Sequence, residues 1–545
     1  MNKIFPLLMK FSLVYFALLA SVISHAQDFK AVSANLEKVQ PDSIRAHIKY
    51  LADDRLRGRL PGTAGFQLAM DYVIAQYKRM GLEPAGENKT FLQSVKLRRA
   101  RVDRGNTLAT FINGETSKDL VFGDGFVLSP NFEETTVELT APLAFVGYGV
   151  SEPDLGYDDY AGVDVKGKIV VMISGAPDKF PSTVKAHVMN RVTRAKTALE
   201  KGAVAVILRG GPMGLQNQVQ GLVKTGSVVV PDNMVKGLKF SGSVSQAVFN
   251  SMLNVSEEEA AKIFLSLKEG KPNSFALTSS LKVKLSTKYQ DFESYNVVGL
   301  IKGSDKVLKD EYVVYSAHLD HLGVGTPVKG DSIYNGAHDN ASGVSCVLEV
   351  ARVYSSLKQR PKRSILAVMV VGEEMGLLGS GYFAAHPTVP KDKIVAAVNM
   401  DMPTLIAPLL SVVPLGAVHS SLMGQVKTAA TYLGLDVEDD PEPDQNRFVR
   451  SDQYSFVQQG IPSLNIKYGD KMEEPGKKLT EKVKVWRAAI YHQPQDEYAE
   501  ANFDFNAGKK YVQLCFLIGY QAAQDKKRPT WNEGDLFGKK FGNQK

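Results

Sequence analysis

Cysteine is nearly absent: Cys346 and Cys515 are the only two in 545 residues. Each sits in an apolar helical pattern, so the chain is no disulfide-stapled scaffold, and two buried free thiols are expected rather than a bridge. Past residue 26 no stretch reaches about 18 uninterrupted apolar residues, the length a membrane-spanning helix needs. Charge of one sign is also scarce, since 65 Lys+Arg stand against 58 Asp+Glu, a formal +7 spread without a long basic run. Such an imbalance gives no footing for nucleic acid. The Gly-rich segment 209–214 lacks the spacing and the following Lys of a phosphate-binding loop, and reads as a surface loop. What remains, 44% apolar and 23% charged residues with 46 Gly and 25 Pro, is ordinary globular composition, neither collagen-like nor disordered. At roughly 150 residues per domain the length corresponds to about three or four domain equivalents, and two larger domains also fit.

The start of the chain has its own pattern. Lys3 and Lys10 precede the apolar run 11–23, and Ser24-His25-Ala26 places small residues where a signal peptidase cuts. Residues 1–26 are therefore expected to be a secretory signal cleaved after Ala26, with the mature protein soluble and secreted or periplasmic. An uncleaved anchor would need about 20 apolar residues, counted through Lys10 and Pro6.

Along the remainder, the apolar spacing predicts two helices within 42–82, flanking the turn Arg57-Gly58-Arg59-Leu60-Pro61-Gly62-Thr63, and short strands over about 95–150. Segment 135–285 reads as a self-contained β-rich unit with one or two helices, set between an N-terminal part at 27–134 and a catalytic part at 286–525. In that last part strands are expected at 312–317, 365–371 and 394–400, with helices at 341–357 and 375–385 between them. A helix at 420–433, a strand at 463–467 and a helix at 506–524 follow. This alternation predicts an α/β fold with a doubly wound, mostly parallel sheet. The polar, basic tail 526–545 is expected to pack on the surface through Trp531 and Phe537.

In an open α/β sheet ligands bind beyond the carboxyl ends of the strands. Those ends deliver His318-Leu319-Asp320-His321, Gly372-Glu373-Glu374 and Asp401, while the loop before the first long helix carries His338-Asp339-Asn340 and a turn-rich segment carries Tyr491-His492. Singly, each has a plain explanation: Asp339 as a helix cap, Glu374 as a first-turn acid, a histidine as packing. Together His318, Asp339, Glu374, Asp401 and His492 form a mixed N/O donor set suited to zinc, too many for one tetrahedral site and enough for two metals sharing a carboxylate. Adjacent glutamates at a strand end point apart, so Glu374 is assigned to metal and Glu373 to acid/base work.

His318-x-Asp320, Gly336-Ala337-x-Asp339-Asn340-Ala341-Ser342-Gly343, Glu373-Glu374-x-Gly376-Leu377-Leu378-Gly379-Ser380, Asn399-x-Asp401-Met402 and Tyr491-His492-x-Pro494-x-Asp496 resemble, in order and spacing, the five motifs of the co-catalytic di-zinc aminopeptidase family. That family includes glutamate carboxypeptidase and the transferrin receptor ectodomain. The resemblance spans about 296–525, and the segment near 42–82 is similar to the family's N-terminal part. Segment 135–285 resembles a protease-associated domain, through Gly156-Tyr157-Asp158-Asp159-Tyr160, Gly167-Lys168-Ile169-Val170 and Lys201-Gly202-Ala203.

The resemblance implies a zinc-exopeptidase fold, two Zn2+ ions per chain and peptide substrates. It implies that Asp339 bridges the ions, that His318 and Asp401 complete one site and Glu374 and His492 the other, and that Glu373 is the general base for a metal-bridged hydroxide. Asp320 would hydrogen-bond the His318 imidazole and fix its tautomer. Three positions depart from the pattern: His338 where many relatives carry Asp, Gln453 in place of a common His, and Pro403 in place of a small residue. His321 is most simply structural. The expected activity is removal of N-terminal residues from peptides. A carboxypeptidase or dipeptidase would need cations such as Arg447 and Arg450 to grip a carboxylate; a single-zinc glutaminyl cyclase or an inactive binding homologue would not need all five ligands. Side-chain preference and oligomeric state are not read from the sequence.

Overall fold

The computed structural model describes residues 29–211 and 214–542. The expected signal segment 1–26 lies outside the described residues, as do Pro212 and Met213 of the Gly-rich segment. The chain divides into two compact units, one formed by residues up to Ser94, Tyr295–Pro441 and the chain from Ser451 onward, the other by Val95–Ser294 and Glu442–Arg450.

The first unit is built on a mostly parallel sheet. Strand Tyr312–His318 pairs in parallel with Ser364–Val370 on one side and Ile394–Asn399 on the other, and Ser463–Tyr468 continues the parallel run beside Ile394–Asn399. Ser364–Val370 and Ile394–Asn399 are buried at every position. That is the continuous apolar signature of strands covered on both faces. The flanks are antiparallel: Val297–Ile301 lies against Ser364–Val370, and Ser411–Leu415 against Ser463–Tyr468. Helices Ser342–Ser355 and Phe505–Gln524 are buried along most of their length, each carrying one cysteine, and both thiols are free.

The expected alternation is present with its boundaries moved by a few residues. The helix expected from 375 begins at Leu378, because 373–377 form a turn with Leu377 at φ 60°. Elements beyond the expected alternation are present as well. Helix Leu479–Ile490 buries only Leu479 and Val483, so it carries little apolar periodicity, and strand Ser411–Leu415 holds Pro414, a residue that argues against a strand in the sequence. In the tail, Phe537 is fully buried and the Trp531 indole N–H donates to the Gly460 carbonyl at 3.0 Å.

The second unit has a mixed sheet in which Ala205–Arg209 lies parallel between Ile169–Met172 and Phe240–Val244. Its antiparallel side pairs Thr136–Val146 and Leu108–Asn113 with the long strand Ser274–Ile301. The strands at 108–128 belong to this unit, which therefore begins well before 135, and helices Gln246–Leu253 and Glu257–Lys268 add to Ser182–Met189 and Arg191–Glu200. The Tyr157-Asp158-Asp159 motif is a buried turn: the Asp159 carboxylate accepts the Tyr148 and Val150 N–H groups and the Tyr157 hydroxyl. Among the described residues no helix is long and apolar enough to cross a membrane.

Candidate metal centre

Parallel pairing fixes where the chemistry gathers. His318, the last residue of its strand, lies in register with Val370, and Ser316 with Asn399. Glu373, Glu374 and Asp401 thus leave neighbouring strands at one edge of the sheet. Asp339 comes from the tight turn 337–341 before helix Ser342–Ser355. The helix is capped by Asn340, whose Oδ1 accepts the Gly343 N–H at 3.0 Å and also the Met402 N–H, so the capping role considered for Asp339 falls to its neighbour. Gly343 is required there because a Cβ would stand 2.2 Å from Asn340 Oδ1 and from the Met400 carbonyl.

All five donors converge. His318 Nε2 lies 3.2 Å from Asp339 Oδ1 and 3.6 Å from Asp401 Oδ1. His492 Nε2 lies 3.2 Å from Asp339 Oδ2 and 3.1 Å from Glu374 Oε2. The two oxygens of Asp339 thus face two imidazoles on opposite sides. Glu373 is half-buried beside this cluster.

Asp320 acts differently from the expectation. Its carboxylate is 4.0 Å from His318 Nδ1, which is instead 3.2 Å from the Asp320 main-chain carbonyl. The carboxylate oxygens accept the N–H groups of Gly372, Glu373 and Glu374, at 2.8, 3.2 and 3.4 Å. Backbone donors at the turn saturate the carboxylate, so Asp320 orients the Glu373-Glu374 turn, and its main chain orients the histidine.

Burial alone would make His318 less basic, but Glu373, Asp339 and Asp401 raise its pKa well above the ordinary value. His492 is likewise discouraged by burial, yet bonded by Asp339 and Glu374, and rises to about 10. Burial would raise Asp339, and the two imidazoles bring it well below the carboxylate range. Asp401 is lowered against its burial by Lys467 and His318. Glu373 is pushed well up by burial, with Glu374, Asp401 and Asp452 adding repulsion that His318 only partly offsets. The pattern is a surplus of buried negative charge that protons on imidazole must balance. Divalent cations bound by the same N and O atoms would take over that task. Two groups of donors could each hold a metal, His318–Asp339–Asp401 and His321–Asp339–Glu374, with Asp339 common to both.

Several contributors were not anticipated. Arg59, inside what reads as a plain Gly/Pro turn, is fully buried and donates to the carbonyls of Leu51, Leu319, Asn335 and Gly336. It ties together the main chain on either side of His318 and Asp339; the only sequence signal is two arginines flanking a glycine. His321 bonds Glu374. His338 stacks on Phe503 with ring centroids 4.0 Å apart, and its Nδ1 lies 3.1 Å from Asp496 Oδ1. Gln453 Oε1 accepts from Asn399 Nδ2 at 3.3 Å, and Pro403 is buried. In the second unit Arg447 is buried and pairs with Glu442 at 3.4 Å, whereas Arg450 is exposed.

A mixed imidazole–carboxylate cluster thus lies at the carboxyl edge of a parallel sheet, where open α/β folds bind their ligands, and its donors could hold metal. Residues 296–512 match the model of peptidase family M28. Aminopeptidase YwaD of Bacillus subtilis (strain 168) is 26% identical over 400 residues, covering 72% of this chain and 69% of that protein. Aminopeptidase NAALADL1 of Mus musculus is 34% identical over 137 residues, covering 24% of this chain and only 17% of its own length. Carboxypeptidase Q of Bos taurus is 24% identical over 346 residues, 61% of this chain and 59% of that protein.

Proposed function

We propose that this chain is a zinc exopeptidase that removes N-terminal residues from peptides. Zinc is the metal that the donor set suits, and two ions per chain are assigned: His318 and Asp401 would hold one, Glu374 and His492 the other, with Asp339 shared between them. The observation that carries this reading is the division of Asp339, Oδ1 toward His318 and Oδ2 toward His492 at 3.2 Å each. Zinc there would supply Lewis acidity toward the scissile carbonyl and lower the pKa of an attacking water.

The residues of the chain do the rest. Glu373 takes the proton of the attacking water and returns it to the leaving amine; the surrounding carboxylates and its burial raise its affinity for that proton, as a general base of this kind requires. Asp320 holds the turn that places Glu373 and Glu374 on their separate tasks. The carboxypeptidase alternative is less favoured, since Arg447, one of the two cations available to it, is committed to Glu442. Residues 1–26 are read as an export signal, and the β-rich segment as a protease-associated module.

The test is the metal content of the purified protein, combined with hydrolysis of free and N-blocked peptides before and after chelation. About two zinc ions per chain, activity lost to chelator and restored by zinc, and no cleavage of N-blocked peptides would support the reading. Cleavage of N-blocked peptides from the carboxyl end would replace it with the carboxypeptidase, and absence of metal would end it.

A further inference from the structure

Glu374 is approached by two histidines, not one. His492 Nε2 is 3.1 Å from Oε2, while His321 Nδ1 is 2.7 Å from Oε1. The first of these belongs to the metal set assigned above; the second, although grouped with Asp339 and Glu374 among possible donors, is not in that set. We infer that His321 is a positioning residue, which donates its Nδ1–H to Glu374 Oε1 and so leaves Oε2 alone to face the metal. This rests on the reading of Glu374 as a ligand.

The surroundings of His321 give it the rigidity such a role needs. Its side chain is fully buried. Its main-chain N–H is directed at the Arg59 carbonyl at 3.3 Å. The ring packs so closely on Gly336 that a Cβ there would meet Cγ and Cδ2 at 2.6 Å, and its edge meets the His492 ring at 5.9 Å between centroids. A ring confined on these sides keeps Nδ1 aimed at Oε1.

A glutamate needs this help more than the aspartates do. Its longer side chain has one more rotatable bond to immobilise, and its carboxylate can present either one or two oxygens to a cation. With Oε1 occupied by an N–H donor, the geometry is single-oxygen and the orientation is set before any cation arrives. The hydrogen bond also stabilises the ionised carboxylate, the form a metal binds. Outer partners of this kind are worth about 10- to 100-fold in metal affinity. The carboxylate that His321 orients is assigned to one of the two ions, so the effect is expected in that ion's binding step.

The experiment compares His321→Phe with His321→Asn in the full chain. Phe keeps ring volume without a donor; Asn places an amide N–H near the position of Nδ1. Zinc affinity is measured by competition with a chromogenic chelator, resolving the two binding steps, and unfolding of the apo protein verifies the fold. The expected result is a loss of about 10- to 100-fold in one step for Phe, with the other step unchanged, and substantial recovery in Asn. If Phe does not fold, His321→Leu against Asn gives the same contrast. Wild-type affinity in the donorless variant overturns the inference, and so does an Asn variant as weak as Phe, which would make the ring itself a ligand or a packing element. A wild-type protein that binds no zinc would overturn the metal reading together with this inference, whereas the other two outcomes overturn this inference alone.

Discussion

The carboxylate of Asp496 holds the main chain of Asp339: Oδ2 accepts the Asp339 N–H at 3.0 Å while Oδ1 accepts the His338 N–H at 2.9 Å. The carboxylate proposed to bridge two cations thus sits on a backbone pinned from a loop 157 residues further along the chain. Asp496→Asn would turn one acceptor into a donor facing an N–H. Metal affinity should fall about 10- to 100-fold, and stability by roughly 1–3 kcal/mol. Zinc retained after dialysis and a urea denaturation curve measure the two effects separately.

Glu373→Gln should leave metal content at the wild-type level and reduce turnover by about 10²- to 10⁴-fold, because it removes a proton acceptor without removing a ligand. Metal analysis and kcat on an unblocked peptide check this. Loss of metal would exchange the roles of Glu373 and Glu374.

Arg59→Met should destabilise the first unit by roughly 3–5 kcal/mol, since four buried carbonyls lose their donor at once. Burial lowers the Arg59 pKa to about 10, while Asp320, Asp496, Asp339 and Glu374 favour its charge, so it remains a cation at neutral pH. Arg59→Lys keeps the charge and loses the planar fork, and its denaturation midpoint should fall between those of wild type and Met.

His47 gives the pH dependence. Its imidazole contacts the Tyr72 hydroxyl at 2.7 Å, and burial, reinforced by Arg352 and Arg79, lowers its pKa from 6.5 to about 4. The folded protein keeps it neutral where the unfolded chain would protonate it. Its contribution to stability is therefore present above pH 6.5 and is lost as the pH falls toward 4. About 2 kcal/mol should be gone by pH 5. Relative to wild type, His47→Gln should lose less stability between pH 7.5 and pH 5, as read from urea midpoints.

Of the five side chains that converge at the sheet edge, four stand at a local signal in the sequence. His318, Glu374 and Asp401 stand just past apolar runs that can only be buried strands, and Asp339 stands before a helix whose start is marked by Asn340 and Gly343. Asp320 was legible as part of the centre but not in its manner of acting. The spacing His318-x-Asp320 suggests side chain to side chain, whereas the folded turn brings three N–H groups to the carboxylate first. The limits of the second unit were harder to read, since strands Leu108–Asn113 and Phe126–Leu128 join its sheet through pairing with residues far along the chain.

The alternation of strand and helix, the buried apolar faces and the chemical types available at the sheet edge are written in the chain itself, because they follow from periodicities of two and 3.6 residues and from turn residues. That Arg59 clamps the carbonyls of Leu319 and Gly336, that His321 meets Glu374, and that Asp496 carries the backbone of Asp339 emerges with the folded chain alone. Those contacts join residues dozens to hundreds of positions apart. They depend on how loops close over a finished sheet, and no local pattern encodes which buried donor will find which acceptor.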